Sequence, residues 1–245
     1  MVLIMLFVLV CSYAITNYNI KYLSTENGLT NNYVTSVCQD NFGFIWFGTR
    51  DGLNRWDGSN IKTFRHQPQD TNSLPDNFIR TLTSDGNGNL WIGTNQAGAV
   101  RYNIKDERFF SYPIHKTNET SFPDYYARCS FKQNDSTIWF GTNNGLAKYN
   151  PATDSFKRIR LQEKQSDNTE IIISIFKIDE ESVGIQSNLG LFKILNSTVQ
   201  NYELPKSFPK LKTLHENNPI FVASNGDIWF ADPDTLFHYE KENNV

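Results

Sequence analysis

One short cadence limits what this chain can fold into. Ile45-Trp-Phe-Gly-Thr49 returns as Leu90-Trp-Ile-Gly-Thr94 and Ile138-Trp-Phe-Gly-Thr142, with weaker copies at Val183-Gly-Ile-Gln-Ser187 and Ile228-Trp-Phe-Ala-Asp232. Their second residues stand at 46, 91, 139, 184 and 229, so the steps are 45, 48, 45 and 45 residues. Six or seven residues after each comes a glycine (Gly52, Gly98, Gly145, Gly190), replaced by Thr235 in the last copy. A large apolar residue follows (Trp56, Tyr102, Tyr149, Ile194, Tyr239), and in four copies a second aromatic (Phe64, Phe110, Phe156, Tyr202).

Apolar or alternating runs precede each copy (Val34–Val37, Ile79–Leu82, Ile171–Ile178, Pro219–Val222), separated from it by turns such as Asp40-Asn-Phe-Gly43 and Asp85-Gly-Asn-Gly88. No stretch sustains a helical period, and each repeat divides into four short strands joined by Gly, Asn and Asp turns. Four strands in a repeat of about 45 residues describe a β-propeller blade. In such a strand Trp and Gly face one way and the residue between them the other. Trp46, Trp91, Trp139 and Trp229 are therefore expected to wedge between blades, while Gly48, Gly93 and Gly141 let backbones approach. The expected class is all-β, with blades near 31–66, 77–112, 125–158, 170–204 and 218–245 within a repeat region of 15–245. The fifth repeat has strands near Ile220, Trp229 and Phe237 and no fourth. A strand at Ile20–Leu23 could supply it and close a five-bladed ring, which would leave no free edge. The other arrangement is an open arc of a larger propeller.

The first ten residues are all apolar and the run weakens by Ile15. That is short of the roughly 20 residues of a membrane span. Ser12-Tyr-Ala14 offers the small residues of a cleavage site, so residues 1–14 are expected to be an export signal, although no Lys or Arg precedes the apolar core. The remainder carries 26 acidic and 23 basic residues, a net charge of -3 that argues against nucleic acid as a partner. Aromatics make up 14% of the chain, too many for a disordered segment. Cys38 and Cys129 sit in strand-like runs and are expected to act as small buried hydrophobes; with Cys11 they form no metal or disulfide pattern.

Asp70-Thr-Asn-Ser-Leu-Pro-Asp-Asn-Phe-Ile79, followed by Leu82-Thr-Ser-Asp-Gly-Asn-Gly-Asn-Leu-Trp-Ile-Gly-Thr94, resembles the two-component regulator propeller repeat, and Leu23-Ser-Thr-Glu-Asn-Gly-Leu-Thr30 resembles the opening of the same module. The resemblance is weaker where Gly184 replaces Trp and Ala231 replaces Gly. It implies a periplasmic sensor region of a membrane-bound histidine kinase, often a hybrid sensor that responds to oligosaccharides. It also implies two seven-bladed propellers followed by a Tyr-rich β-sandwich, a transmembrane helix and kinase modules, working as a homodimer. Against that plan this chain reads as an N-terminal portion, and the open arc becomes the expected arrangement.

None of His66, His115, His215 and His238 pairs at metal-ligand spacing, so no metal or cofactor is expected. His215-Glu216 has the residues of a histidine-kinase phosphoacceptor box but stands in an Asn/Pro loop, not a helix. Asp40 and Asp85 occupy one repeat position, as turn residues do, whereas catalytic carboxylates should break the repeat; no catalytic residue is assigned. The candidate binding residues lie just after the repeated strand: Arg50, Asp51, Asn54 and Arg55, then Asn95 and Gln96, then Asn143 and Asn144. Amides and guanidinium groups beside aromatics suit sugar hydroxyls and ring faces, although polar turn residues look the same in sequence. Among the inter-blade loops, Phe122, Tyr125 and Tyr126 are the stacking candidates. The resulting expectation is a non-catalytic ligand-binding propeller that senses an oligosaccharide, with a secreted hydrolase or lyase and a purely structural propeller as alternatives.

Overall fold

The computed structural model describes residues 20–162, 169–203, 220–223, 225–232 and 235–240. The expected leader at 1–14 and His215 lie outside these residues. The first sheet contains β1 (Val34–Gln39), β2 (Ile45–Thr49), β3 (Gly52–Trp56) and β4 (Ile61–Phe64); the second β5 (Ile79–Ser84), β6 (Asn89–Thr94), β7 (Ala99–Asn103) and β8 (Arg108–Ser111). The third contains β9 (Ala127–Asn134), β10 (Thr137–Thr142), β11 (Gly145–Asn150) and β12 (Ser155–Ile159); the fourth β13 (Ile172–Lys177), β14 (Ser182–Ser187), β15 (Gly190–Leu195) and β16 (Thr198–Asn201). The fifth has three strands, β17 (Ile220–Val222), β18 (Ile228–Asp232) and β19 (Thr235–Tyr239). Each sheet is an antiparallel meander in chain order. First strands pack on first strands, β1 on β5, β5 on β9, β9 on β13 and β13 on β17, so the sheets fan around an axis as propeller blades.

The repeated residues hold this arrangement together. Thr49 Oγ1 donates to Gly52 O at 2.9 Å and accepts from Asp51 N at 3.0 Å, closing the β2–β3 turn. Thr142 makes the same pair of bonds at 2.7 and 3.0 Å, and Ser187 at 3.1 and 3.1 Å. Gly52, Gly145 and Gly190 complete these turns at φ of 132°, 97° and 128°, a region costly for any residue with a Cβ. Before the strand, Asp40 accepts from Phe42 N, Phe44 N and Trp46 Nε1 at 2.9, 3.0 and 2.7 Å; it is a turn residue, as its repeat position implied.

Trp46 and Trp91 are buried wedges between blades. Trp46 meets Tyr102 of the next sheet with ring centroids 5.6 Å apart, and Trp91 meets Tyr149 at 4.4 Å. The strand glycines sit where the neighbouring sheet comes closest. A Cβ on Gly48 would lie 2.6 Å from Ile79 Cγ2, and one on Gly141 2.5 Å from Ile172 Cγ2. The fourth sheet departs from this pattern but conserves volume. Gly184 stands in the Trp place, and the ring of its cross-strand neighbour Phe176 fills the space, 2.0 Å from where a Cβ on Gly184 would be. Gln186 stands in the Gly place, and its Oε1 accepts from Ile220 N of the fifth sheet at 3.0 Å.

The arc is open. Leu82 and Ile175 are buried, whereas Val37 at the same place in the first sheet is 58% exposed. Ile92, Phe140 and Ile185 are buried, whereas Phe47 is half-buried. At the far end Phe221 and Leu236 are exposed, and among the described residues no comparable packing joins β17 to β1. The strand expected at Ile20–Leu23 is not formed. That segment lies against the first sheet instead, with Lys21 Nζ 3.4 Å from Gly58 O and 5.7 Å from the Trp56 ring. Asn54 explains this course: its buried amide accepts from Thr30 N at 2.9 Å and donates to Thr30 Oγ1 at 2.9 Å, so the chain before β1 is bound across the sheet that follows it.

Candidate functional site

Strand register brings two sets of residues to one end of the blades. Val34 opens β1 opposite Thr49 at the end of β2, and Ile79 with Thr94 and Ala127 with Thr142 repeat the relation. The turns after the repeated strand therefore stand beside the starts of the innermost strands, next to the propeller axis. An aromatic precedes each of those starts: Tyr33, Phe78 and Tyr126. Each is fixed by a short polar side chain two residues earlier, which accepts from the aromatic residue's own amide: Asn31 at 2.7 Å, Asp76 at 3.1 Å and Asp124 at 3.0 Å.

Arginines lie between these rings. Arg50 stands 3.8 Å from the Tyr33 centroid and 5.6 Å from that of Phe78. Arg80 stands 4.8 Å from Phe78 and 3.7 Å from Tyr126, and Arg128 5.4 Å from Tyr126. Around the mouth of the axis the order is thus aromatic, cation, aromatic, cation, aromatic, cation. The amides after the repeated strands buttress the series: Arg80 Nε donates to Asn95 Oδ1 at 2.9 Å, and Arg128 Nε to Asn143 Oδ1. The cleft so formed has a volume of about 400 Å³ and is lined by Tyr33, Val34, Thr35, Arg50, Phe78, Arg80 and Arg128. Burial, then the charges of Arg128 and Arg50, draw the Arg80 pKa down to about 10 against the opposing pull of Asp76. The cleft therefore brings three guanidinium groups together, each beside an aromatic ring.

The residues expected to bind ligand divide between this cleft and the scaffold. Arg50 and Tyr126 belong to the cation–aromatic series, and Asn95 and Asn143 pin its arginines. Asp51 instead pairs with Arg65 at 2.9 Å, and Asn54 is a buried structural amide. Arg55 lies away from the axis, 4.5 Å from the Phe44 centroid and 3.6 Å from Glu107. The backbone N–H of Gln96 donates to Asp76 Oδ2 at 2.7 Å, tying the turn after β6 to the residues ahead of Phe78. Asn144 Oδ1 accepts from buried Arg158 at 2.6 Å and so braces a loop. Phe122 is fully buried among Trp91, Phe140 and Phe156, because its loop folds into the junction of the second and third sheets; it offers no stacking face. Tyr125 is 53% exposed beside Tyr126. Sequence reasoning missed Tyr33, Phe78, Arg80 and Arg128. The signal was present as an Asn or Asp followed two residues later by an aromatic, ahead of the first strand of each of the first three repeats. Among the described residues no group of His, Cys, Asp and Glu side chains is arranged to hold a metal ion.

Residues 28–51 and 73–96 match the family model of the two component regulator propeller. Over 58 residues the chain is 40% identical to histidine kinase P4 of Formosa agariphila, a match covering 24% of this chain and 4% of that protein. The extracellular domain of a hybrid two component system from B. thetaiotaomicron superposes with a TM-score of 0.74 at 23% identity, over 92% of this chain and 31% of that one. A second such domain from the same organism gives 0.55 at 20% identity, over 91% of this chain and 33% of that one. At these identities the structural likeness is one of fold. The chain spans about a third of the length of the solved domains and a small fraction of the kinase.

Proposed function

We propose, from the premise that this chain is built of two-component regulator propeller repeats, that it is a ligand-binding segment of an extracytoplasmic sensor. On this reading it binds an oligosaccharide at the axial mouth and has no chemistry of its own. Residues 1–14 direct its export to the periplasm. Further propeller blades pack on the uncovered faces at Val37 and Phe47 and at Phe221 and Leu236. Kinase modules of a homodimeric sensor act downstream. The observation that carries the reading is the cleft itself: side chains from three successive sheets converge at the mouth, with arginines and aromatic rings lining one volume of about 400 Å³. A ligand there contacts several blades at once, so it biases their relative positions, which is what a sensor requires. Titration calorimetry of the purified chain against a panel of oligosaccharides tests this. Binding that Tyr126→Ala or Arg50→Ala weakens supports it. Hydrolysis or elimination products from the same panel would overturn it, as would the absence of binding to any member.

A further inference from the structure

The charge arrangement of the cleft specifies its ligand more narrowly than the word oligosaccharide does. Arg50 and Arg80 make no ion pair with any described residue, although acidic side chains pair with many other cations of the chain. Arg80 uses only Nε, on Asn95, and the terminal nitrogens of its guanidinium have no acceptor among the described residues. Arg50 has no hydrogen-bond acceptor at all among them. The two guanidinium carbons lie over the Tyr33 and Tyr126 rings, 3.8 and 3.7 Å from their centroids, which leaves the unbonded terminal nitrogens to a ligand. Phe78 and Tyr126 each have two arginines near their rings, which leaves half-exposed Tyr33 as the ring most open to a sugar face. What remains is a set of planar, pre-oriented donor forks, the geometry that matches a carboxylate or a sulfate in bidentate fashion.

We infer that the cleft between Arg50, Arg80 and Arg128 holds the anionic group of an acidic saccharide, a uronate carboxylate or a sulfate ester. The inference rests on the proposed role of the chain as a saccharide sensor and adds the class of sugar. The charges of Arg128 and Arg50 both disfavour the charged form of Arg80 while Asp76 favours it, so an anion seated against Arg50 and Arg80 relieves repulsion as well as forming hydrogen bonds. Such a site discriminates by charge before it discriminates by sugar stereochemistry.

The test is calorimetric titration of the chain with a galacturonate tetramer, a sulfated galactan fragment, maltotetraose and inorganic sulfate, at low and at high salt. One or both acidic oligomers should bind at least tenfold more tightly than maltotetraose and lose affinity as salt rises. Arg50→Gln, at an exposed side chain, should lower that affinity about tenfold, the equivalent of one charge-assisted hydrogen bond, without lowering the melting temperature. Lys62→Gln, on the outer strand β4 and paired with Glu107 of the β7–β8 turn, should leave it unchanged. The ratio of the two acidic oligomers tells carboxylate from sulfate. Maltotetraose binding as tightly as the acidic oligomers, with no salt dependence, would overturn the acidic class and leave the saccharide sensor standing. Inorganic sulfate binding as tightly as either acidic oligomer would reduce the site to a simple anion site. No binding to any of the sugars would overturn both.

Discussion

Blade four offers a direct test of how the repeat accommodates its own exceptions. Gly184 occupies the place of the wedge tryptophan, so restoring the repeat by Gly184→Trp would be expected to help if the marker residue acted alone. The structure requires the opposite. A Cβ at 184 would lie 2.0, 2.3 and 2.6 Å from Cε2, Cζ and Cδ2 of Phe176, all inside van der Waals contact and all in one ring. Phe176 is 4% exposed and packs with Ile220, Ile228 and Phe230, so the ring has no open space to enter. Overpacking of this kind costs about 1–3 kcal/mol. For a chain of this length that lowers the melting temperature by roughly 2–4 °C per kcal/mol. Phe176→Cys alone should cost about 3 kcal/mol through the cavity it leaves. Combined, the two substitutions reproduce the first sheet, where Cys38 stands opposite Trp46, and should be more stable than the sum of their separate effects by about 2 kcal/mol. Urea unfolding followed by far-ultraviolet circular dichroism gives all four free energies with comparable slopes. If Gly184→Trp unfolds at the parent midpoint, or if the double variant is additive, the reciprocal filling of this junction is wrong.

Other consequences follow from burial and charge. Because Val37 is 58% exposed and Leu82 at the same repeat position is 7% exposed, Val37→Ala should change stability by no more than about 0.5 kcal/mol while Leu82→Ala should cost about 2–5 kcal/mol by the same unfolding measurement; similar losses at the two positions would mean that the ring is closed. Burial pushes the Cys129 thiol up to about 12, so iodoacetamide at pH 8, mapped by mass spectrometry, should leave Cys129 unmodified until denaturant is added. Hydrogen bonds from Ser182 above all, and then from the Glu181 amide, hold the Asp179 carboxyl near 2, below its unfolded value of about 3.9. Its contribution to stability is complete above the unfolded value and disappears as pH falls through the folded one. The stability difference between the parent and Asp179→Asn should accordingly narrow as pH falls from about 4 to 2, and a difference independent of pH would remove the carboxylate from the account.

The blade plan was legible in the amino-acid order because it depends on local chemistry repeated at a fixed interval. Strand alternation puts Trp46 and Gly48 on one face, Thr49 can close its turn only with a residue such as Gly52 at positive φ, and Asp40 can bind its own turn amides. None of these needs a distant partner. Where a distant partner decides, the order was silent. Ile20–Leu23 has the apolar pattern of a strand, yet its course is set by the anchoring of Thr30 on Asn54, 24 residues later. Phe122 reads as an exposed loop aromatic and is buried, because the shape of the junction between two sheets draws it in. Arg50, Arg80 and Arg128 lie in different repeats and on different kinds of element, a turn and two strands. Only the radial packing of successive sheets brings them to one cleft, since residues far apart along the chain become neighbours where the first strands converge on the axis. Sequence determined the blade; the tertiary structure decided which side chains meet at the mouth, and so what the mouth can bind.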